Sequence, residues 1–293
     1  MLNMNIAVLI TCHNRKEKSL SCLRTLFVSR SCYNNNHELP ITLKVFLVDD
    51  GCTDGTAEAV VKEFSRTEDI FIIKGSGELY WAGGMRAAWK CALKHKIDWD
   101  FFLLLNDDVV VYDSCLENLL ESHNYSVTKY GKGGVYSGIT CEIGNSEKTT
   151  YGGVRWISRI WGKAELLPPR DVPQLCDAAN ANIMLVSQQV VKEIGIFYEG
   201  YQHGYADYEY SMFVRKKGLP LFVAAHLCGE CPDDHINLKE RLVNMSISER
   251  RKLLSSPLYS IQQRLLFTRR NFPIRYPITL IGGLVRLYFP KYL

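Results

Sequence analysis

Four times in its first 110 residues the chain runs an apolar segment into a polar or glycine-rich end: "NIAVLITCHN", "LKVFLVDD", "DIFIIKG" and "DFFLLLNDD". Helical spacing fills the gaps between them. Lys18 to Arg30 places Leu20, Leu23, Leu26 and Phe27 on one face, Thr56 to Phe64 fits a second helix, and Gly84 to Lys94 aligns Met85, Ala88, Trp89 and Ala92. Alternation of this kind folds as an α/β domain with a mostly parallel central sheet. "DFFLLLNDD" is apolar enough for a central strand covered on both faces. In open parallel sheets a ligand sits at the carboxyl ends of the strands. Those ends are Thr11 to Asn14, Asp49 to Gly51, Gly75 to Gly77 and Asn106 to Asp108, and they converge on one crevice.

The turn after the first strand, "TCHNRKEKS", has no glycine, so the GxGxxG dinucleotide fingerprint is missing there. "GSGELY" lacks the third glycine, and no GxxxxGK[ST] phosphate loop occurs. A nucleotide in this crevice therefore needs another counter-charge for its phosphates. A net charge of +4 over 293 residues does not point to nucleic acid, and none is expected as a partner. The ten cysteines are scattered, and "MLNMNIAVLITCHN" reads as a first strand rather than a cleavable leader, so a cytoplasmic chain with free thiols is expected. Cys228 and Cys231 form a CxxC whose only nearby complements are His226 and His235, a thin basis for structural zinc.

"LLLNDDVVV" offers the missing counter-charge. Two carboxylates beside an asparagine at a strand end make a hard oxygen site for Mg2+ or Mn2+, its shell completed by diphosphate oxygens. The plainer alternative is a solvated acidic pair ending a strand.

"ITCHNR", "VFLVDDGCTDGT", "GELYWAGGMRAAW" and "FFLLLNDDV" stand in the order and spacing of inverting family 2 glycosyltransferases with the GT-A fold. Over roughly the first 235 residues the chain resembles their bacterial rhamnosyltransferase-type members. The resemblance implies that Thr11 and His13 line the nucleotide base and that Asp50, with Asp49 behind it, accepts from base or ribose. It places Asn14, Asp107, Gly83 and Arg86 against the sugar nucleotide, with Trp81 either stacked on a sugar or packed as a loop aromatic. The family's DxD reads Asn106-Asp107-Asp108 here, which makes Asp108 the main metal ligand. Thr53, Asp54 and Gly55 serve better as turn and helix cap.

In the second half, "CDAANANIMLVSQQVVKEIGIF" matches a segment whose small polar residues, including Asn180, floor the donor sugar site. "GYADYEY" matches the place of the family's Glu-Asp-x-Asp, with Ala206 in place of the glutamate. Asp207 then aligns with the catalytic base and Glu209 stands two residues on as a support. A further metal-ligating histidine is implied at His235 or His226. Without the resemblance, Asp207 and Glu209 read as acids at a helix N-terminus.

Residues 1–238 are thus expected to form the GT-A domain and residues 239–293 a basic, mostly helical extension. The extension carries 11 Lys/Arg against 2 Asp/Glu, the rest 24 against 29. Its most apolar uncharged run, Tyr276 to Val285, is too short to span a bilayer. It either lies on an anionic membrane surface, peripheral to the inner face of the plasma membrane, or packs on the domain. The expected function is inverting transfer of a sugar from a nucleotide diphosphate sugar to a glycan or lipid-linked oligosaccharide in surface polysaccharide synthesis. The rival class is a non-catalytic binder on the same scaffold. A nucleotidyltransferase would need a glycine- and basic-rich triphosphate loop that is not seen.

Overall fold

In the computed structural model, residues 3–233 and 238–292 are described. The first half is β1 (Met4–Cys12), α1 (Lys16–Asn36), β2 (Ile41–Asp49), α2 (Thr56–Phe64), β3 (Asp69–Lys74), α3 (Tyr80–Lys94) and β4 (Phe101–Leu105). Then come β5 (Val110–Val111), α4 (Cys115–Tyr130), β6 (Val135–Glu142), β7 (Asn145–Tyr151), β8 (Gly153–Ser158) and β9 (Lys163–Leu166). They are followed by β10 (Gln174–Leu175), β11 (Ala178–Ala179), β12 (Ile183–Ser187), α5 (Gln188–Ile194), α6 (Ala206–Lys216) and β13 (Leu221–Glu230). Four helices close the order: α7 (Leu238–Val243), α8 (Ile247–Ser255), α9 (Ile261–Asn271) and α10 (Tyr276–Tyr288).

The main sheet runs β3-β2-β1-β4-β12-β6-β13-β10. β1 is parallel to β2 and β4, β2 to β3, and β6 to β13. β12 lies antiparallel between β4 and β6. Because β12 is reversed, the residues that precede it reach the edge where β1, β2 and β4 end. Ile183 pairs with Leu105, and the Asn106 N–H donates to the Asn182 carbonyl at 2.9 Å.

Alternate residues of β1 feed two cores. Ile6, Val8 and Ile10 pack under α1 and α4, while Ala7 and Leu9 pack with Met85, Ala88 and Trp89 of α3. All of β4 is buried, as its unbroken apolar run requires. Two helices extend past their expected bounds. α1 covers Lys16–Asn36 rather than Lys18 to Arg30, and α3 begins at Tyr80 rather than Gly84. Gly84 sits inside α3 because any side chain there would overlap Thr11 of β1.

The C-terminal helices pack on the sheet domain. Gln263 of α9 accepts from the Gln202 and His203 backbone N–H groups at 3.2 and 3.4 Å. Phe267 stacks on Tyr205 with ring centroids 4.9 Å apart, and Phe272 meets Trp156 at 5.0 Å. Arg270 pairs with Glu209 and lies over the Tyr198 ring at 4.0 Å. α10 packs on α8 and α9 yet leaves Ile278, Ile281 and Leu284 exposed. No helix among the described residues is long and apolar enough to cross a membrane.

Candidate active site

The polar strand ends meet in one cavity of about 950 Å³. At one side Asp50, only 4% exposed, organises the loop after β3. Its two carboxylate oxygens accept from Gly77 N–H at 2.8 Å and Tyr80 N–H at 3.0 Å. Its carbonyl accepts from His13 Nδ1 at 2.7 Å, which fixes that ring beside Thr11. Thr11, His13, Asp50 and Trp81 all line the cavity. Trp81 Nε1 donates to Asn106 Oδ1 at 2.7 Å, so the indole is held by the strand end below it and Asn106 spends its amide oxygen there.

Asp49, Asn14, Gly83 and Arg86 are placed elsewhere. Asp49 Oδ1 accepts from Cys52 N–H at 2.7 Å, and Asn14 Oδ1 from Thr53 N–H at 2.7 Å, so both shape the turn after β2. Gly83 lies against Leu79 inside α3. Arg86 donates to the carbonyls of Tyr201 at 2.6 Å and Tyr198 at 3.2 Å, tying α3 to the loop before α6. Asp54 accepts from Lys16 N–H at 2.9 Å and Thr56 N–H at 3.1 Å, and so ties the first turns of α1 and α2 together.

Asp107 and Asp108 stand at the middle of the cavity, each under a tenth exposed. Arg15 bridges them, 3.2 Å from Asp107 Oδ1 and 2.8 Å from Asp108 Oδ2. Lys18 stands 3.7 Å from Asp108, and Ser19 donates to Asp107 at 3.4 Å. Cys231, at the end of β13, lies 3.9 Å from Asp108. Burial pushes the Asp107 carboxyl up to about 6 against the pull of Arg15. Arg15, Lys18 and Ser19 did not stand out in the sequence, and Cys231 did so only through its CxxC, because each meets the acidic pair from a distant stretch of chain.

The donor chemistry fits a hard divalent cation. Two adjacent carboxylates opening on a cavity leave most of the shell to water and diphosphate. No larger cage of His, Cys, Asp or Glu exists among the described residues. His226 is exposed on β13 away from the cavity lining, and His235 lies outside the described residues.

Across the cavity Asp207 opens α6. Its carboxylate accepts from Tyr208 N–H at 2.8 Å and Ala181 N–H at 3.1 Å. The residue keeps some exposure through the cavity mouth, yet burial of its carboxyl dominates and pushes it up to about 6, against those two N–H groups. His203, also on the lining, is held below its usual range by burial and then by the charge of Arg15. Leu258 and Tyr259, from the segment before α9, complete the wall. Glu209 turns away to Arg270, and Asn180 is buried with its amide oxygen lacking a partner, while its neighbour Asn182 takes the place on the lining.

Residues 7–193, spanning the strand ends and the acidic pair, match the family model described as glycosyl transferase family 2. The chain belongs to that family. Solved structures place this glycosyltransferase in the GT-A fold. It is similar to a mannosyltransferase, PcManGT from Pyrobaculum calidifontis, in complex with GDP-Man and Mn2+, with a TM-score of 0.53 and 11% identity over 100% of this chain and 72% of that one. It is also similar to S. aureus TarS 1-349 in complex with UDP-GlcNAc, with a TM-score of 0.54 and 11% identity over 97% of this chain and 82% of that one. At such identities the likeness speaks for the fold. The search of curated proteins gave no match.

Proposed function

We propose that this glycosyltransferase moves one sugar, with inversion, from a nucleoside diphosphate donor to a hydroxyl of a glycan or lipid-linked oligosaccharide. The observation that carries the reading is the placing of Asp207, a carboxyl held near 6, on the same cavity as the Asp107–Asp108 pair and the Asp50 loop. Thr11, His13 and Asp50 receive the nucleoside. Arg15 and Lys18 face the diphosphate with positive charge. Asp207 takes the acceptor hydroxyl proton as that oxygen bonds to the anomeric carbon. The bond from that carbon to the diphosphate breaks on the opposite side, and the electron pair leaves with the nucleoside diphosphate. Asp108, with Asp107, would hold Mn2+ or Mg2+, which when bound neutralises charge on the leaving group. His203 and Tyr259 wall the acceptor side.

The motifs shared with rhamnosyltransferase-type members support a hexose or 6-deoxyhexose donor and a role in surface polysaccharide synthesis. The exposed apolar residues of α10, set in a segment of 11 Lys/Arg and 2 Asp/Glu, support a peripheral seat on an anionic inner membrane face.

A thermal-shift series of nucleotide-sugars with and without Mn2+ identifies the donor, since a ligand of the folded state raises its melting temperature. Single-turnover incubation with that donor then shows sugar transferred or hydrolysed. Retention of intact donor over many turnovers' time would sink the enzymatic reading and leave a binding protein.

A further inference from the structure

Three arginines gather where the C-terminal helices meet the sheet domain: Arg264 on α9, Arg275 in the turn before α10, and Arg286 on α10. All three are half-buried. Arg275 lies against Gly162, in the turn between β8 and β9, closely enough that any side chain at Gly162 would overlap the guanidinium. Tyr205, which precedes the first residue of α6, is near enough to Arg275 and Arg286 to act on their charge.

Among the described residues no carboxylate pairs with any of the three, and the one acceptor met by their side chains is the Gly282 carbonyl, 3.5 Å from Arg286. Like charges gathered in a half-dry place repel. Burial, then Arg264, lowers Arg286 to about 10. No guanidinium nitrogen of the three is both buried and without a partner, so their free N–H donors face water and stay open to a ligand that brings oxygens. Guanidinium forks match phosphate oxygens in geometry and charge.

The surroundings say where the phosphate comes from. The β8–β9 turn that touches Arg275 exposes Ile160 at 53% and Trp161 at 70%. Ile274, next to Arg275, is 81% exposed, and Ile281 and Phe289 of the same segment are 61% and 59% exposed. An exposed tryptophan and aliphatic side chains set around arginines suit the headgroup layer of a bilayer, where aromatic rings and basic groups sit together.

We propose that Arg264, Arg275 and Arg286 form a binding site for the phosphate headgroup of a membrane lipid, framed by Trp161 and Ile274. The proposal deepens, and rests on, the reading of α10 as a membrane-surface helix. It adds a defined phosphate site beside Tyr205, two residues from Asp207, so that a docked headgroup fixes the cavity mouth relative to the bilayer.

The full chain is tested by co-sedimentation with phosphatidylcholine vesicles, with and without an anionic phospholipid. Each basic residue near an anionic surface contributes about fivefold in binding. Arg275→Gln with Arg286→Gln should therefore weaken anionic-vesicle binding about twentyfold or more. Arg251→Gln with Lys252→Gln, which removes two exposed charges from α8, should weaken it markedly less. Without vesicles the Arg275/Arg286 variant should melt higher than the parent chain, because repulsion is relieved, whereas a structural role for these arginines predicts lower melting. Equal losses in the two double variants would overturn the site in favour of diffuse charge. Binding of inorganic pyrophosphate that the Arg275/Arg286 changes abolish, in a chain that ignores vesicles, would overturn the lipid assignment. Vesicle binding that survives the arginine changes but is lost with Ile281→Asp would leave the membrane reading standing and this proposal overturned. Neither arm needs sugar transfer, so failure of the enzymatic reading shows separately.

Discussion

Asp207 owes its character to opposed forces at one carboxyl. Burial favours the protonated form, two backbone N–H groups favour the ionised form, and the result lies near 6. A base must be ionised to accept a proton, so kcat should hold above about pH 6 and fall about tenfold per unit below it; a pH–rate series on the identified donor checks this. Asp207→Asn keeps the shape but cannot take the proton, and should lower kcat by about 10²–10⁴ with donor KM little changed. Glu209→Gln should instead lower the melting temperature, since it unpairs Arg270, and cost far less in kcat. An inactive Glu209→Gln beside an active Asp207→Asn would move the catalytic role by two residues. The acidic pair could be found in the sequence because it ends an apolar run, and Asp207 because its stretch resembles the family's acidic motif. Arg15 and Ser19 could not. They meet Asp108 and Asp107 across 93 and 88 residues, and a contact between distant segments leaves no local pattern. Arg86 misled for the opposite reason: it sits inside a motif, yet its geometry ties it to two loop carbonyls.

Among the elements, hydrophobic periodicity located the strands and helices of the first half, and their alternation gave the parallel run of β1, β2, β3 and β4, but not the reversal that follows. Nothing in "IMLVS" says that β12 runs against β4, and that reversal is what brings Asn182 and Ala181 to the cavity. Helix ends were blurred where glycine entered: Gly83 and Gly84 resemble a break, but Gly84 is the contact point of α3 on Thr11. The C-terminal helices also resolve into two kinds. α9 is a structural partner of the loop at Gln202 and His203, while α10 keeps an apolar face outward. Ile281→Asp on that face should lower co-sedimentation with anionic vesicles, while transfer to a soluble acceptor keeps its rate. Equal sedimentation of parent and variant would argue that α10 meets protein instead. Gln263→Ala, which frees the Gln202 and His203 N–H groups, should raise acceptor KM with donor KM unchanged.

For the molecule as a whole, the sheet order lines up the groups of the cavity along a single edge: Asp50's loop, Arg15 with the acidic pair, then Asp207. Nucleoside diphosphate with Mn2+ at about 100 times its Kd should stabilise the fold by about 2.7 kcal/mol, a shift of several degrees in melting temperature. Asp108→Asn should abolish the Mn2+-dependent part of that shift; calorimetry of the diphosphate with Mn2+ measures the same loss, and an unchanged affinity would remove the metal from Asp108.

The wall built by Leu258 and Tyr259 also sets an order of events in time. Every residue from Thr11 to Asp108 leaves the ribosome before Asp207, and Tyr259 follows Asp108 by about 150 residues. At about 5–20 residues per second that gap is roughly 8 to 30 s. A nascent chain can therefore assemble the strand-end side of its cavity while the side of Asp207 and Tyr259 still stands open to water. Glu209 and the loop at His203 wait for α9 to cover them. Ribosome-stalled chains should show this as nucleotide protection that precedes any transferase activity.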